Sequence, residues 1–400
     1  MSGSDCSIIG VIILRINILH MGFFYSGGGE RVVLEQAIKL RERGHAVKVF
    51  SPIIRWNKSF PELLAKVCPE RIVPSLPLPF PFRDAAAMMV STVIPFRLRA
   101  IADCDILLCH SQPSMFLGYR SNIVFGTPYV GYLHQLTTFI NSRPRMAGNW
   151  ASDGSFHLLN GLLGVFGKSA ARRIDKLCHI NASRLLFNSR WTKRLFEEEY
   201  GVTGVVCYPG IKTASPTSNL ERLNMLIIAS RHYPWKRIDL AFYILKKLSA
   251  EGSQLMVTGE ETAHTNVLRK IVQDLGLNQK VQFTGRVDDH SLFTMYSQAR
   301  AYMQTSICEP FGMSTLEAQS LGTPAVVWGD AGTKETVLDG ETGFHATPYD
   351  LDDFAHKVDL LLHDDVCWRK MSGCAKIWAT SFSWDSHADL LEGVLEEECK

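Results

Sequence analysis

Two carboxylates eight residues apart form the strongest candidate for a chemical site in this sequence. Glu309 and Glu317 lie in the segment CEPFGMSTLEAQSL, at 308–321. The proline and glycine between them predict a turn, after which a helix is expected to begin at Ser314, with Glu317 in its first turn. Such a helix leaves the backbone N–H groups of 311–314 without intrahelical acceptors, and these groups attract an anion such as a diphosphate. Carboxylates beside them can accept hydrogen bonds from sugar and ribose hydroxyls.

The same residues also fit a purely structural role. In the pattern Ser314-x-x-Glu317, the glutamate can reach back to the start of the helix and complete a capping box. The Glu-Pro-Phe-Gly segment that begins at Glu309 instead favours a loop that binds a ligand. Phe311, Gly312 and Met313 are then the residues whose backbone meets an anion.

A basic segment, SRHYPWKR at 230–237, directly follows an apolar strand pattern. Ligands of open parallel sheets bind at the carboxyl ends of the strands, where we expect Arg231 and Lys236 to lie. Two fixed cations there can neutralise a diphosphate that departs with developing negative charge. A solvated basic turn is the structural alternative, and the presence of the carboxylate segment argues against it.

Two further features lie in the first half of the chain. The segment SGGGE, at 26–30, contains Gly28 and Gly29 between a strand pattern and a helix pattern. Glycines allow close approach of the backbone to an anion, although the order differs from the G-x-G-x-x-G of dinucleotide-binding folds. His134 ends a buried strand pattern, where a polar side chain suggests either a ligand site or a histidine satisfied within the core.

Strand-like apolar segments alternate with helical patterns along the chain. Apolar residues have helical spacing over 30–43, and Gly44 is expected to end that helix. This alternation predicts an α/β fold with parallel sheets that are covered on both faces. The predicted strands are 15–22, 46–51, 105–109, 129–133, 184–187, 224–230, 254–258, 281–284, 301–305 and 325–328.

Length and composition restrict the class of protein. With 400 residues, 46% apolar and 20% charged, the chain is globular and long enough for two domains. Pro, Gly, Ser and Thr concentrate at 208–220, which we predict to be a linker between an amino-terminal domain, 1–207, and a carboxy-terminal domain, 221–382. The ten cysteines include no C-x2-C pair, so they indicate buried thiols rather than a zinc site.

Charge is distributed unevenly between the halves. Residues 1–205 carry 24 basic and 14 acidic side chains, whereas residues 206–400 carry 18 and 26. A basic first half predicts an anionic partner. No apolar run reaches 18 residues, so no transmembrane helix is expected. The apolar, proline-containing stretch at 74–102 fits either a core helix with a buried loop or a segment that contacts a membrane surface.

Together these segments resemble the large retaining glycosyltransferase family 4, whose members have the GT-B fold. The resemblance covers nearly the whole chain and is strongest over 224–347. There LIIASRHYPWKRIDL, VQFTGRVDD and EPFGMSTLEAQSLGTPAVVWGDAGTKETVLDGETGF follow the order seen in the family. The SGGGER segment is similar to the corresponding segment of mannosyltransferases of lipid-linked glycan assembly. The resemblance implies two Rossmann-like doubly wound domains that face each other across a cleft, with a final helix, 383–400, returning to the first.

The resemblance also implies a role for each candidate residue. Glu309 would contact the transferred sugar, Glu317 the ribose, and His134 the region of the reacting sugar carbon. Arg231 and Lys236 would bind the donor diphosphate. The catalytic set is then His134, Glu309, Arg231 and Lys236, and the donor-binding set is Gly28, Gly29, Arg231, Lys236, Phe311, Gly312, Met313 and Glu317.

The expected activity is transfer of a hexose, with mannose from GDP-mannose as the leading choice, to a lipid-linked or phosphate-bearing acceptor. UDP-glucose and UDP-GlcNAc remain alternative donors, and a nucleotide-sugar epimerase or a non-catalytic sensor of nucleotide sugars are alternative functions. No cofactor or metal is expected, because the basic pair and the helix start would supply the positive charge. We expect a cytoplasmic protein that contacts an anionic membrane peripherally and binds no nucleic acid.

Overall fold

The computed structural model describes residues 12–74, 82–94, 97–136, 169–213, 221–250 and 252–400. Two parallel β-sheets with helices packed around them give the α/β fold that the strand–helix alternation predicts. In chain order, the strands are Arg15–His20 (β1), Ala46–Ser51 (β2), Glu70–Arg71 (β3), Ile106–His110 (β4), Tyr129–Leu133 (β5), Arg184–Phe187 (β6), Val205–Val206 (β7), Met225–Ala229 (β8), Gln254–Thr258 (β9), Val281–Gly285 (β10), Ala301–Gln304 (β11), Ala325–Trp328 (β12) and Gly343–Ala346 (β13). Across the first sheet the strand order is β3-β2-β1-β4-β5-β6-β7, and across the second it is β10-β9-β8-β11-β12-β13.

Helices follow most of the strands, as a doubly wound fold requires. Single-turn 3₁₀ helices cover Pro234–Lys236 and Gly332–Glu335. The α-helices are Gly28–Glu42 (α1), Pro61–Val67 (α2), Phe82–Val93 (α3), Leu98–Ala102 (α4), Ser111–Phe125 (α5), a helix described over 169–180 (α6), Arg190–Tyr200 (α7), Ile238–Lys247 (α8), Thr265–Asp274 (α9), Asp289–Gln298 (α10), Met313–Ser320 (α11), Leu351–His363 (α12), Asp365–Ala379 (α13) and Trp384–Glu397 (α14).

The predicted strands all occur, and those at 46–51, 129–133, 184–187, 254–258 and 325–328 have the expected bounds. The sequence patterns missed β3, β7 and β13, because two-residue strands and a short strand that begins with glycine carry too little apolar signal. The first helix begins at Gly28 rather than at residue 30, so only Gly27 of the three glycines lies outside it. Gly44 follows that helix with φ of +96°, in agreement with its predicted role.

The chain divides into two compact units. Unit 1 comprises Met1–Leu133, Arg173–Leu186 and Ala388–Lys400, and unit 2 comprises His134–Arg172 and Phe187–His387. Within unit 1, the final segment bonds to the loop after α1. Arg43 forms ion pairs of 2.5 Å with both Asp389 and Glu392, and Glu392 lies 2.7 Å from His45.

Apolar burial on both sheet faces explains the near-continuous apolar strands of unit 2. Neighbouring residues of β8, Ile227 and Ile228, point to opposite faces, and both are at most 1% exposed. All five strand pairings in this sheet are parallel. The carboxyl ends of its strands therefore lie along one edge, where the loops after β8 and β11 are neighbours.

Of the apolar stretch at 74–102, residues 75–81 and 95–96 lie outside the described residues. The described remainder forms α3 and α4. Among the residues that the structure describes, no helix is both long and apolar enough to cross a membrane. The nine cysteines that lie among the described residues form no disulfide. Residues 214–220 of the predicted linker are also outside the described ranges.

Candidate functional site

The basic and acidic segments lie in neighbouring loops of unit 2. Arg231 follows β8 and Glu309 follows β11, and these two strands pair in parallel. Their carboxyl ends therefore share one edge of the sheet, which is where open α/β sheets bind ligands. The sequence prediction that the two segments act together is consistent with this placement.

Lys236 and Glu309, one from each segment, are in direct contact. The Nζ atom of Lys236 lies 2.6 Å from Oε2 of Glu309, and the side chains are 20% and 15% exposed. The backbone oxygen of Lys236 also accepts a hydrogen bond of 3.3 Å from the Ser306 hydroxyl, which fixes the 3₁₀ turn beside β11. A partly buried pair of this kind holds a cationic and an acidic side chain in one place, where each can bind polar groups of a ligand.

Arg231 lies over an aromatic pair. Its guanidinium carbon is 5.2 Å from the centre of the Tyr233 ring, and Tyr233 stacks on Trp235 at 4.4 Å. The cation–π contact directs the planar guanidinium without neutralising its charge. Gly259, in the loop after β9, has φ of +138°, and a Cβ atom there would lie 2.0 Å from the backbone oxygen of Ser230. Only glycine therefore allows this loop to pack against the backbone just before Arg231.

The helix after Glu309 begins one residue earlier than predicted. Helix α11 starts at Met313, and Gly312 precedes it with φ of +98° and no side chain to cap the helix. Ser314 is thus the second helical residue, and its hydroxyl lies 2.7 Å from the hydroxyl of Tyr302. Glu317 is the fifth residue and lies beyond the first turn, so the predicted first-turn position and the capping-box alternative are both wrong. The left-handed backbone at Gly312 is the cause, because it forces the helix to start directly after it.

Tyr302 lies near both candidate carboxylates. It is fully buried in β11, and burial raises the pKa of its hydroxyl, with the charges of Glu309 and Glu317 raising it further. Glu317 itself is only 7% exposed. Both carboxylates therefore lie close enough to one phenol to act on it electrostatically. Sequence reasoning missed Tyr302, whose only signal is a tyrosine within a buried strand that leads into the acidic segment.

A second loop, which contains Gly332, supports the acidic segment through backbone contacts. The backbone N–H of Gly332 donates a hydrogen bond of 2.9 Å to the backbone oxygen of Glu309. A Cβ atom on Gly332 would lie 1.8 Å from the backbone oxygen of Pro310, so only glycine fits this contact. Phe311 is 3% exposed and stacks on Tyr208 at 5.6 Å. Its side chain is therefore part of the packing, and binding of an anion by its backbone N–H stays a prediction.

Glu335 ends this supporting loop and was also missed by the sequence analysis. Its carboxylate accepts hydrogen bonds of 2.9 and 2.8 Å from the backbone N–H groups of Arg190 and Trp191, at the start of α7. It also accepts one of 2.8 Å from the Tyr208 hydroxyl. A carboxylate is the favoured partner for a helix amino terminus. The available signal was the helix start at residue 190, which has no acidic side chain of its own in the first turn.

His134 directly follows β5 and is half-buried. Burial, together with the nearby His387, lowers the pKa of His134 to about 4. The imidazole is therefore neutral at pH 7 and can donate or accept a hydrogen bond without carrying charge. The Asn188 side chain donates a hydrogen bond of 2.9 Å to the backbone oxygen of His134. The role of His134 near the sugar stays a prediction.

Gly28 and Gly29 belong to unit 1. They are the first two residues of α1, after Gly27 in an extended conformation. Their N–H groups precede the first intrahelical bond, which runs from Arg31 to Gly27 at 3.0 Å. This arrangement is compatible with the predicted approach of the backbone to an anion.

Two family models match adjoining parts of the chain. The model for Glycosyltransferase Family 4 matches residues 26–215, and the model for glycosyl transferases group 1 matches residues 212–376. Solved structures share the fold over nearly the full length. HepE from Anabaena in complex with UDP and glucose is 20% identical, covers 96% of this chain and 100% of its own, and has a TM-score of 0.73. Sucrose-phosphate synthase from Thermosynechococcus elongatus is 16% identical, with 96% and 98% coverage and a TM-score of 0.76.

Curated relatives match over shorter segments. Mannosylfructose-phosphate synthase from Agrobacterium fabrum is 32% identical over 207 residues, which are 51% of this chain and 43% of that protein. D-inositol 3-phosphate glycosyltransferase from Frankia alni is 29% identical over 182 residues, 43% of this chain and 44% of that protein. The chain thus spans less than half the length of these relatives. The two family models together match residues 26–376, so the chain belongs to the family 4, group 1 glycosyltransferases, and the solved structures show that it has the GT-B fold.

Proposed function

We propose that the chain is a retaining glycosyltransferase that moves a hexose from a nucleotide sugar to a lipid-linked or phosphate-bearing acceptor. GDP-mannose is the proposed donor, and mannose is the hexose that is transferred. The observation that carries this proposal is the Lys236–Glu309 ion pair of 2.6 Å, at the sheet edge where Arg231 and the start of α11 also lie. This edge offers both cations for a diphosphate and carboxylates for sugar hydroxyls.

In the proposed reaction, the bond between the anomeric carbon and the diphosphate oxygen breaks while a bond from that carbon to the acceptor oxygen forms. The acceptor proton passes to the departing diphosphate, on the face of the sugar that it leaves. Arg231, Lys236 and the N–H groups at the start of α11 stabilise the developing negative charge. Glu309 holds the sugar, Glu317 the ribose, and neutral His134 lies near the reacting carbon. Gly28 and Gly29 approach the donor phosphates, and no metal is needed to balance their charge.

The acceptor side of the proposal is supported by two observations. The first half of the chain is basic, with 24 basic and 14 acidic side chains over residues 1–205. The names of two relatives, mannosylfructose-phosphate synthase and D-inositol 3-phosphate glycosyltransferase, include a phosphate group. We therefore assign acceptor binding to 1–207 and donor binding to 221–382, with a peripheral position at the cytosolic face of a membrane.

The test is a matrix of donors and acceptors with the purified full chain. GDP-mannose, UDP-glucose and UDP-GlcNAc are each incubated with a polyprenyl-diphosphate sugar, a sugar phosphate or an inositol phosphate, with and without EDTA. We expect one donor to yield product whose anomeric configuration, read by NMR, matches the donor, and EDTA to leave the rate unchanged. Inverted product, or neither transfer nor donor hydrolysis in any combination, would contradict the proposal. Epimerised donor without acceptor would favour the epimerase alternative.

A further inference from the structure

Six large apolar side chains are exposed on two helices of unit 1. They occupy the end of α5 and one side of α6, and we call them the α5–α6 patch. The exposed fractions are 63% for Ile123, 60% for Val124, 47% for Phe125, 43% for Ile174, 38% for Leu177 and 51% for Ile180. Isolated apolar side chains are common on protein surfaces, but a contiguous group of this size marks an interaction site.

A hydrogen bond and a shared contact with Tyr129 place α6 beside α5. Near the start of α5, the Gln112 side chain donates a hydrogen bond of 2.6 Å to Asp175 of α6. Further along, Gly118 packs so closely on the Tyr129 ring that a Cβ atom would lie 2.9 Å from it, and the Tyr129 hydroxyl donates a bond of 2.6 Å to the backbone oxygen of Cys178. The helices therefore run side by side in the same direction, and Phe125 and residue 180 end at the same edge.

The exposed charged side chains on the two helices themselves are basic. Among the described residues of α5 and α6, the exposed charged side chains are Arg172, Arg173 and Lys176. Arg172 pairs with Glu199. The acidic side chain of α6, Asp175, is buried and bonds to Gln112 and lies 3.9 Å from His179. Arg173 and Lys176 thus border the apolar side chains with positive charge.

We propose that the α5–α6 patch docks on an anionic lipid surface. Apolar side chains enter the boundary between headgroups and acyl chains, while basic side chains bind anionic headgroups. A second copy of the chain fits less well, because a symmetric contact over the patch would bring the cations Arg173 and Lys176 of both copies into one interface without an acidic partner on these helices. The proposal assigns a location to the membrane contact of the proposed function. It rests on that function only for the biological purpose of the contact, since lipid binding itself is measured without sugar transfer.

The test is co-sedimentation of the full chain with vesicles of phosphatidylcholine alone or with phosphatidylglycerol added, at low and high salt. We expect binding to the anionic vesicles that weakens at high salt, because surface charges are screened. The double variants Ile123→Glu with Phe125→Glu, Leu177→Glu with Ile180→Glu, and Arg173→Glu with Lys176→Glu should each weaken binding by about tenfold or more. Matched controls are Val366→Glu and Ile377→Glu, at side chains 79% and 73% exposed in unit 2, which should bind as the unmodified chain does.

Several outcomes would overturn this proposal. They are absence of binding to anionic vesicles, equal loss in patch and control variants, or a concentration-dependent dimer that the patch variants abolish, measured by sedimentation velocity. Circular dichroism and thermal unfolding of each variant verify that it is folded. Transfer to a water-soluble acceptor separates the two proposals, because patch variants should keep it even if lipid binding is lost. Loss of transfer with intact lipid binding would instead contradict the proposed function.

Discussion

At the scale of single residues, the candidate site depends on a few polar contacts held by glycines. Lys236 and Glu309 are 73 positions apart in the sequence and meet at 2.6 Å. Glycine allows the two loop approaches around them, at Gly312 and Gly332, where a side chain would strain the backbone or collide with it. The site thus requires both the charges of this pair and the backbone paths that glycine allows at these two positions.

The ion pair gives the first prediction. Lys236→Met and Glu309→Gln should each lower kcat by roughly 100-fold or more, because charge that develops on the diphosphate or sugar loses its partner. The double variant should lose less than the product of the two single effects, since the residues form one unit. Steady-state kinetics with the identified donor measures this.

Lys247→Met is the matched control for that experiment, because Lys247 also forms an ion pair of 2.6 Å, with the largely exposed Asp352. An exposed pair contributes little, so this variant should keep kcat within about twofold. Equal losses in Lys236→Met and Lys247→Met would contradict the assignment of Lys236 to the site.

Gly312 gives the second prediction. Gly312→Ala places a Cβ at φ of +98°, 3.1 Å from Thr333 and 3.3 Å from the Thr315 hydroxyl. We expect a loss of about 1–2 kcal/mol in unfolding free energy and at least a tenfold loss in donor affinity, because the start of α11 shifts. Gly340→Ala has φ of +75° and open space around it, so it should share the backbone strain and retain donor affinity. Denaturant unfolding and calorimetric donor titration distinguish the two variants.

At the scale of elements, Glu335 ties helix α7 to the acidic segment. Its carboxylate bonds to the start of α7 and to Tyr208, and Tyr208 stacks on Phe311. The loop that ends at Glu335 also bonds to the backbone of Glu309 through Gly332. Two paths thus connect one carboxylate to the segment that we assign to the donor.

The third prediction follows from those two paths. Glu335→Gln and Tyr208→Phe should both lower kcat, by about tenfold, with a smaller effect on the donor KM, because they loosen the segment without removing a ligand. Their effects on kcat should be less than additive, as expected of side chains that share a hydrogen bond.

A helix-capping variant elsewhere in unit 2 is the control for this prediction. Asp350 accepts bonds of 3.0 and 3.1 Å from two backbone N–H groups at the start of α12. Asp350→Ala should therefore lower stability by about 0.5–2 kcal/mol but leave kcat unchanged. If it lowered kcat as much as Glu335→Gln, the effect would be one of general stability.

At the scale of the whole molecule, each unit contains a buried histidine that is kept neutral. Burial lowers the pKa of His179, in unit 1, to about 4. Burial also lowers the pKa of His387, in unit 2, to about 4, although its bond of 2.7 Å to the backbone oxygen of Tyr208 acts in the opposite direction. Acid should therefore destabilise both units.

This pH dependence is the fourth prediction. Between about pH 6.5 and 4 the unfolded chain binds protons at these histidines that the folded chain does not, so stability falls as the pH falls. Each histidine contributes a slope of up to about 1.4 kcal/mol per pH unit in that range. His387→Asn and His179→Asn should each reduce the slope. Urea unfolding at several pH values measures it, and slopes in both variants equal to that of the unmodified chain would refute the prediction.

Much of the fold could be predicted because it is encoded locally. Apolar strands and helical spacing alternate along the chain, and β2, β5, β6, β9 and β12 have the predicted bounds. Local patterns also predicted that the basic and acidic segments each follow a strand, and in a parallel sheet the ends of these strands lie at one edge. Those conclusions needed only neighbouring residues and the general behaviour of parallel sheets.

Other features were decided only by the tertiary structure. The start of α11 at Met313 depends on the left-handed Gly312, which packs against Thr333 of another loop. Glu335 gained its role from partners 127 and 145 positions away in the chain, and Tyr302 gained its role because the acidic segment folds back beside its strand. A sequence pattern reports the preferences of a residue and its neighbours, whereas hydrogen-bond partners and permitted backbone angles are set by whichever distant atoms fold against them.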